Sequence, residues 1–210
     1  MYLEKLFDAV ALNMLWLLCC VPLVSIGASS TAFYYAAVKV IRGERGSLFR
    51  EFWRSFKLNF VKATFLWIFF AVLFFIIAVN LNIVPDIDDG YFSLFLTCLY
   101  SFLAVFVAAL LLYAFPVLSR FEMSAGRVIA LSLFMVFRYF PVTLGLLCIA
   151  GGTVLLVYYF PLFIFFLPAG SVIVFSVLME KVLLRHTPPP SSAEDAEYKW
   201  YFNSAGKGVE

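Results

Sequence analysis

Four long stretches without any charged residue dominate the pattern of the chain. They cover residues 9–38, 63–85, 90–119 and 139–179. A helix needs about 20 apolar residues to cross the roughly 30 Å of hydrocarbon in a bilayer. The first three stretches therefore predict one membrane span each. Because no stretch alternates with the two-residue period of a barrel strand, the predicted fold class is an all-α integral membrane protein.

The fourth uncharged stretch is too long for a single crossing. It runs for 41 residues and is interrupted near its middle by Tyr158-Tyr159-Phe160-Pro161. Two spans joined by a very short turn fit into it. The chain is therefore predicted to form a polytopic membrane domain over residues 1–185, with five transmembrane helices at 9–33, 63–84, 92–118, 141–157 and 162–183.

Two charged segments have the periodicity of amphipathic helices. In residues 47–62 (SLFREFWRSFKLNFVK) most aromatic side chains share one side of the helix and the cations lie on the other. In residues 124–140, Arg127 and Arg138 are three turns apart on an otherwise apolar helix. Both segments are predicted to be interfacial helices at the cytoplasmic boundary.

These two helices supply a candidate surface for a protein partner or for lipid headgroups. The simpler alternative is that their cations only fix the topology and reach out to the headgroups. A dedicated docking role stays open beside it. The residues concerned are Arg50, Trp53, Arg54, Lys57, Arg127 and Arg138.

The Lys and Arg residues predict the direction in which the chain crosses the membrane. If residues 39–62 are cytoplasmic, five crossings place all of the 15 Lys and Arg residues except Lys5 on the cytoplasmic side. The positive-inside rule favours this arrangement. We therefore expect an outer N-terminus, a plain acidic outer turn at residues 85–90, and a cytoplasmic, Pro-rich and poorly ordered tail at 186–210.

The composition supports a membrane protein and removes several classes of function. Of the 210 residues, 64% are hydrophobic and 13% are charged, whereas a soluble domain has roughly 45–50% and about 25%. The four cysteines lie inside apolar runs and there is one histidine, so no disulfide or zinc spacing is visible. We expect neither an enzyme nor a cofactor. The predicted partner is the lipid bilayer, and a net charge of +2 offers no nucleic-acid surface.

The predicted spans contain polar side chains but no charged ones. Ion-coupled transporters usually place a titratable group inside the membrane, so ion coupling is not expected. Asn13, within Ala11-Leu12-Asn13-Met14-Leu15-Trp16, is the candidate intramembrane polar contact. Such a side chain either ties helices together or lines a solute site.

A short internal echo links the two halves of the chain. Pro22-Leu23-Val24-Ser25 and Pro116-Val117-Leu118-Ser119 both lie late in a predicted inward-running span, and each precedes a basic segment. Four matching residues of common types leave open whether the halves are a repeat, as in some transporters.

One part of the chain resembles a known family. The Asn13 and Trp16 pair is followed by the small-residue bend Gly27-Ala28-Ser29-Ser30-Thr31, by Lys39-Val40-Ile41-Arg42-Gly43-Glu44, and by the aromatic and basic run from Phe49 to Ala63. This order resembles the YesL family of bacterial membrane proteins, a domain of unknown function. The resemblance implies a multi-span protein of the bacterial cytoplasmic membrane, often encoded beside carbohydrate uptake and degradation systems. It implies no catalytic residue.

Two functions are therefore expected in competition. The first is a non-catalytic accessory that assists the assembly, stability or regulation of a carbohydrate uptake system, for which the resemblance implies a carbohydrate ABC permease as partner. The second is a channel, transporter or binder for a small neutral or amphiphilic solute, in which Asn13 and residues 27–31 line a cavity.

Overall fold

A computed structural model describes residues 2–43, 46–87, 90–121 and 123–185, and none of these residues lies in a strand. The predicted all-helical class is therefore confirmed over these ranges. The helices are α1 (Tyr2–Cys20), α2 (Ile26–Ala36), α3 (Leu48–Ile87), α4 (Tyr91–Arg120), α5 (Ala125–Arg138), α6 (Phe140–Tyr159) and α7 (Leu167–Arg185). Short 3₁₀ segments occupy Leu23–Ser25 and Pro161–Phe165, and a π-helical segment, Ala37–Arg42, extends α2.

Within the described residues, four helical segments are long and apolar enough to cross a membrane, so the predicted number of five spans is not confirmed. They are Leu23–Arg42, Leu48–Val84, Tyr91–Arg120 and Phe140–Tyr159. The first differs from the other three in its burial. Of its most apolar stretch, 67% is buried inside the protein, whereas the corresponding stretches of the other three segments are 17%, 17% and 11% buried. The segment that contains α2 is thus a central helix covered by protein, whereas the other three expose their apolar side chains.

The first predicted span, 9–33, is not one continuous helix. α1 ends at Cys20, and the chain reverses at Pro22, whose ring and missing N–H disfavour another helical turn. Ser25 stabilises the reversal by donating its hydroxyl to the carbonyl of Pro22 at 2.7 Å. α2 then returns along α1, because Trp16 contacts both Ser30 and Phe33. The start of α1 and the end of α2 consequently lie at the same end of the bundle.

The predicted interfacial helix 47–62 is not a separate element either. It is the first part of α3, which continues without a break for 40 residues. At about 1.5 Å per residue, α3 is roughly 60 Å long, about twice the thickness of the hydrocarbon. Its charged residues are Asp86 and those that precede position 63, so only residues 63–85 have the composition of a span.

α2 packs closely along the charged half of α3. Lys39 pairs with Glu51 at 2.8 Å, and Thr64 donates its hydroxyl to the carbonyl of Val24 at 3.3 Å, so the two helices are antiparallel neighbours. Gly27 makes this approach possible. A β-carbon there would lie 2.4 Å from the carbonyl oxygen of Ala63, well inside van der Waals contact.

The remaining helices complete the bundle around α2. α4 returns along α3, beginning with a hydrogen bond of 3.1 Å from Ser93 to the carbonyl of Val84. α5 occupies most of the predicted interfacial helix 124–140 and packs back on α4, where Phe106 meets Phe137. α6 and α7 form a helical hairpin, and the 3₁₀ segment Pro161–Phe165 joins them. The predicted turn between the last two spans therefore exists as a short helical connection.

Two predicted segments lie partly or wholly outside the described residues. Of the acidic turn at 85–90, α3 includes the backbone through Ile87, and residues 88–89 are not described. The tail from 186 to 210 lies outside the described ranges altogether.

The close packing of α2 on α3 predicts a sensitive position at Gly27. Gly27→Ala should lower the midpoint of thermal unfolding in detergent, because its β-carbon meets backbone that cannot move without separating the helices. We expect a loss of about 1–3 kcal/mol, as for other overpacked sites. Gly152→Ala on α6 is the matched control, since nothing lies within 4 Å of a β-carbon there. Equal unfolding midpoints for the two variants would contradict the close contact.

Candidate functional site

A cleft of about 370 Å³ lies beside α2 and is open on one side. Six helices contribute to it, namely α1, α2, α3, α4, α6 and α7. Its walls are mainly aromatic and aliphatic, and none of its lining residues carries a charge at neutral pH. The polar side chains that matter for its chemistry are Trp16, Ser30, Tyr34, Thr153 and Ser171.

Trp16 lines one edge of this cleft, and Asn13 lies next to it on α1. The two residues are three positions apart on α1 and therefore share one face of the helix. Trp16 lines the cleft and its indole N–H donates to Ser30 Oγ at 3.4 Å. Asn13 is completely buried, and its amide donates to the carbonyl of Phe165 at 2.9 Å. This hydrogen bond joins α1 to the connection between α6 and α7, and the two roles predicted for Asn13 stay predictions.

Residues 27–31, which the sequence predicted as a bend, lie within α2 and contribute only in part to the cleft. Ser30 lines it, whereas Gly27 faces α3 and Thr31 donates its hydroxyl to the carbonyl of Gly27 at 2.9 Å. Asn13 does not line the cleft, and most of the walls come from α4, α6 and α7. These later helices carried no distinctive sequence motif that would have identified them.

A buried ionic network lies next to the cleft and ties three helices together. Arg120, at the end of α4, pairs with Glu180 of α7 at 2.5 Å, and both side chains are less than a tenth exposed. The other carboxylate oxygen of Glu180 accepts a hydrogen bond of 2.9 Å from the hydroxyl of Tyr34 on α2. Since Tyr34 also lines the cleft, the wall of the cleft is connected directly to this ion pair.

Further polar contacts hold the end of α2 in place. Arg42 donates to the carbonyl of Ser176 on α7 at 3.0 Å. Lys39 donates to Glu51 at 2.8 Å and to the hydroxyl of Tyr35 at 3.2 Å. The π-helical segment Ala37–Arg42 carries both cations, and an irregular turn of this kind redirects side chains relative to a regular α-helix.

The predicted cationic surface is divided by the structure. On α3, Arg50, Arg54 and Lys57 are exposed, and Lys57 lies over the ring of Trp53 at 5.6 Å. Glu51 and Phe52, on the opposite side of the same turns, are buried against the rest of the bundle. Arg127 and Arg138 are exposed on α5.

The described residues hold no group of three or more His, Cys, Asp or Glu side chains placed to bind a metal ion. Glu51 and Glu180 each pair with a cation inside the protein. The arrangement around the cleft is thus suited to holding a molecule in place by apolar contact and hydrogen bonding.

The Arg120 and Glu180 pair predicts a double-mutant result. Glu180→Leu or Arg120→Leu alone leaves one buried charge without its partner, and we expect each to destabilise the protein by about 3–5 kcal/mol. The double variant should be more stable than either single variant, because both charges are then removed together. Chemical unfolding in detergent micelles measures the free energy of unfolding of the wild type, the two single variants and the double variant. A double variant destabilised by the full sum of the two single effects would contradict the coupling.

No curated protein matches this chain, and no solved structure matches it. A family model does match residues 9–81, which include Asn13, Trp16, all of α2 and most of α3. This match agrees with the segment on which the sequence resemblance rested, and the YesL name is consistent with it. Residues 9–81 of this chain match the model of the family described as "Protein of unknown function, DUF624".

Proposed function

We propose that this protein is a non-catalytic membrane protein that binds a small neutral or amphiphilic molecule in the cleft beside α2. The single observation that carries the proposal is the cleft itself, whose volume of about 370 Å³ falls within the roughly 300–1,000 Å³ typical of small-molecule sites. Apolar walls with a few placed hydroxyls are also the usual construction of such sites.

The lining argues for an uncharged occupant. None of the lining side chains carries a charge at neutral pH, and the nearest ion pair, Arg120 with Glu180, is already neutralised within the protein. Burying an additional charge there would be unfavourable because no partner is left to compensate it. A free sugar would in turn leave many of its hydroxyls unpaired against these walls.

The proposed setting is a bacterial cytoplasmic membrane with several crossings. The exposed apolar faces of α3, α4 and α6 support it, and the cations of residues 39–62 support a cytoplasmic position for that segment. Because the start of α1 lies at the same end of the bundle as Arg42, we place the N-terminus on the cytoplasmic side as well. This revises the outer N-terminus expected from a single first span.

The accessory role in carbohydrate uptake is kept as a second candidate. One observation favours it, namely that Arg50, Trp53 and Lys57 are exposed together on the charged half of α3. An aromatic and cationic surface of this kind suits a partner protein such as an ABC permease. Both roles are compatible in one protein, since this surface and the cleft are formed by different residues.

Blocking the cleft tests the leading proposal. Ala150 lines the cleft, so Ala150→Trp should fill it and weaken the saturable binding of 1-aminoanthracene, a neutral apolar fluorophore, at least tenfold. Fluorescence titration of the protein in native-lipid nanodiscs measures this binding. Val154→Trp is the control on the same helix, because Val154 is exposed and is not part of the lining.

The expected result is saturable binding to the wild type and to Val154→Trp, with loss in Ala150→Trp. Absence of saturable binding to the wild type, or equal binding to all three proteins, would refute the proposal.

A further inference from the structure

We infer that the occupant of the cleft is an uncharged single-chain amphiphile with a hydroxyl or ester group, such as a monoacylglycerol, and that Ser30 hydrogen-bonds its polar group. This inference rests on the proposed function and names the class of molecule that the cleft selects. Four observations lead to it: the size of the cleft, its position beside exposed apolar side chains, its neutrality, and the different states of its hydroxyl groups.

The size of the cleft favours one hydrocarbon chain. Its volume of about 370 Å³ lies near the lower end of the range for small-molecule sites. A phospholipid with two acyl chains is too large to be enclosed by it. One chain with a small polar group can bury most of its surface there, and it gains about 25 cal/mol for each Å² of apolar surface removed from water.

The position of the cleft favours a molecule that arrives from the membrane. α6 forms part of its wall and is the least buried of the four helices long enough to span a bilayer. Val154, Leu155 and Leu156, next to the lining residue Thr153, are all exposed apolar side chains. An occupant dissolved in lipid therefore meets apolar side chains next to this wall of the cleft.

The hydroxyl groups that line the cleft differ in whether their proton is still available to hydrogen-bond an occupant. Thr153 donates its single proton either to the carbonyl of Ile149 or to Ser171 Oγ, both at 2.7 Å, and Ser171 donates to the carbonyl of Leu167 at 2.8 Å. The hydroxyl of Tyr34 is engaged by Glu180 at 2.9 Å. These three groups are therefore occupied as donors.

Ser30 is in a different state. Its oxygen accepts the indole N–H of Trp16 at 3.4 Å, and a hydroxyl that accepts a hydrogen bond keeps its own proton for donation. Ser30 lines the cleft on α2, so this proton is available to an acceptor on the occupant. An ester carbonyl, an ether or a hydroxyl oxygen supplies such an acceptor without adding a charge.

A carboxylate would also accept this hydrogen bond, but its negative charge disfavours it in a cleft whose lining is uncharged. A fatty acid ionised at alkaline pH would bring a full negative charge next to Glu180, whose own charge is already matched by Arg120. Burial of an uncompensated charge is far more costly than burial of a neutral polar group. The cleft should therefore distinguish an ester from the corresponding acid.

The experiment measures displacement of bound 1-aminoanthracene from the protein in native-lipid nanodiscs at pH 9. The competitors are 1-monododecanoylglycerol, dodecanoate and dodecane, compared at equal measured concentrations in the membrane phase. We expect the monoacylglycerol to displace the fluorophore at a concentration at least tenfold lower than dodecanoate. Its preference over dodecane should fall about 2–10-fold in Ser30→Ala, the factor of one neutral hydrogen bond.

Ser132→Ala is the matched control, because Ser132 is a buried serine on α5 that does not line the cleft. Ser30→Cys is the second variant, which keeps the side-chain size with a weaker donor and should give an intermediate preference. It replaces Ser30→Ala if that variant does not fold.

The outcomes separate this inference from the proposed function. If 1-aminoanthracene does not bind the wild type, the proposed function fails. If the fluorophore binds but dodecanoate displaces it as well as the monoacylglycerol does, the ligand class is wrong. If the preference over dodecane is unchanged in both Ser30 variants, the role of Ser30 is wrong.

Discussion

The structure depends on the reversal of the chain at Pro22. α1 ends before Pro22, which disfavours another helical turn, and the chain turns back through Leu23–Ser25 so that α2 runs inside the bundle. Trp16 then meets Ser30 and Phe33 on one side, while Gly27 lets α3 approach on the other. An apolar helix that would otherwise face lipid becomes the centre of the protein.

The cleft and the ionic contacts both follow from this central position of α2. One helix presents Ser30 to the cleft, Tyr34 to the ion pair of α4 and α7, and Lys39 to α3. Tyr34 is shared by the cleft wall and the network, so an occupant of the cleft lies against a residue that is held by Glu180. The polar contacts therefore fix the walls of the cleft, while the walls themselves stay neutral.

The sequence pattern predicted the helical class and the apolar stretches, because these depend on composition and local periodicity. It did not predict the pairing of Arg120 with Glu180, since the two residues are 60 positions apart and each ends an uncharged run. The two Pro-x-x-Ser motifs show a further limit. Ser25 and Ser119 make the same bond of 2.7 Å to the preceding proline carbonyl, yet Pro22 separates two helices and Pro116 lies inside α4. Packing against neighbouring helices decides whether the chain reverses or continues at such a motif. It also decides whether α3 continues past residue 62.

A distance between two spin labels, at Phe7 on α1 and at Ser47 before α3, tests the reversal most directly. Both residues are exposed, so labels are accommodated without disturbing the core. The hairpin places them at the same end of neighbouring helices, and pulsed electron paramagnetic resonance in nanodiscs should give a distance of about 10–25 Å, since packed helices are 8–10 Å apart. A single helix over 9–33 would put the labels on opposite sides of the roughly 30 Å hydrocarbon layer. A distance beyond about 35 Å would therefore contradict the central position of α2.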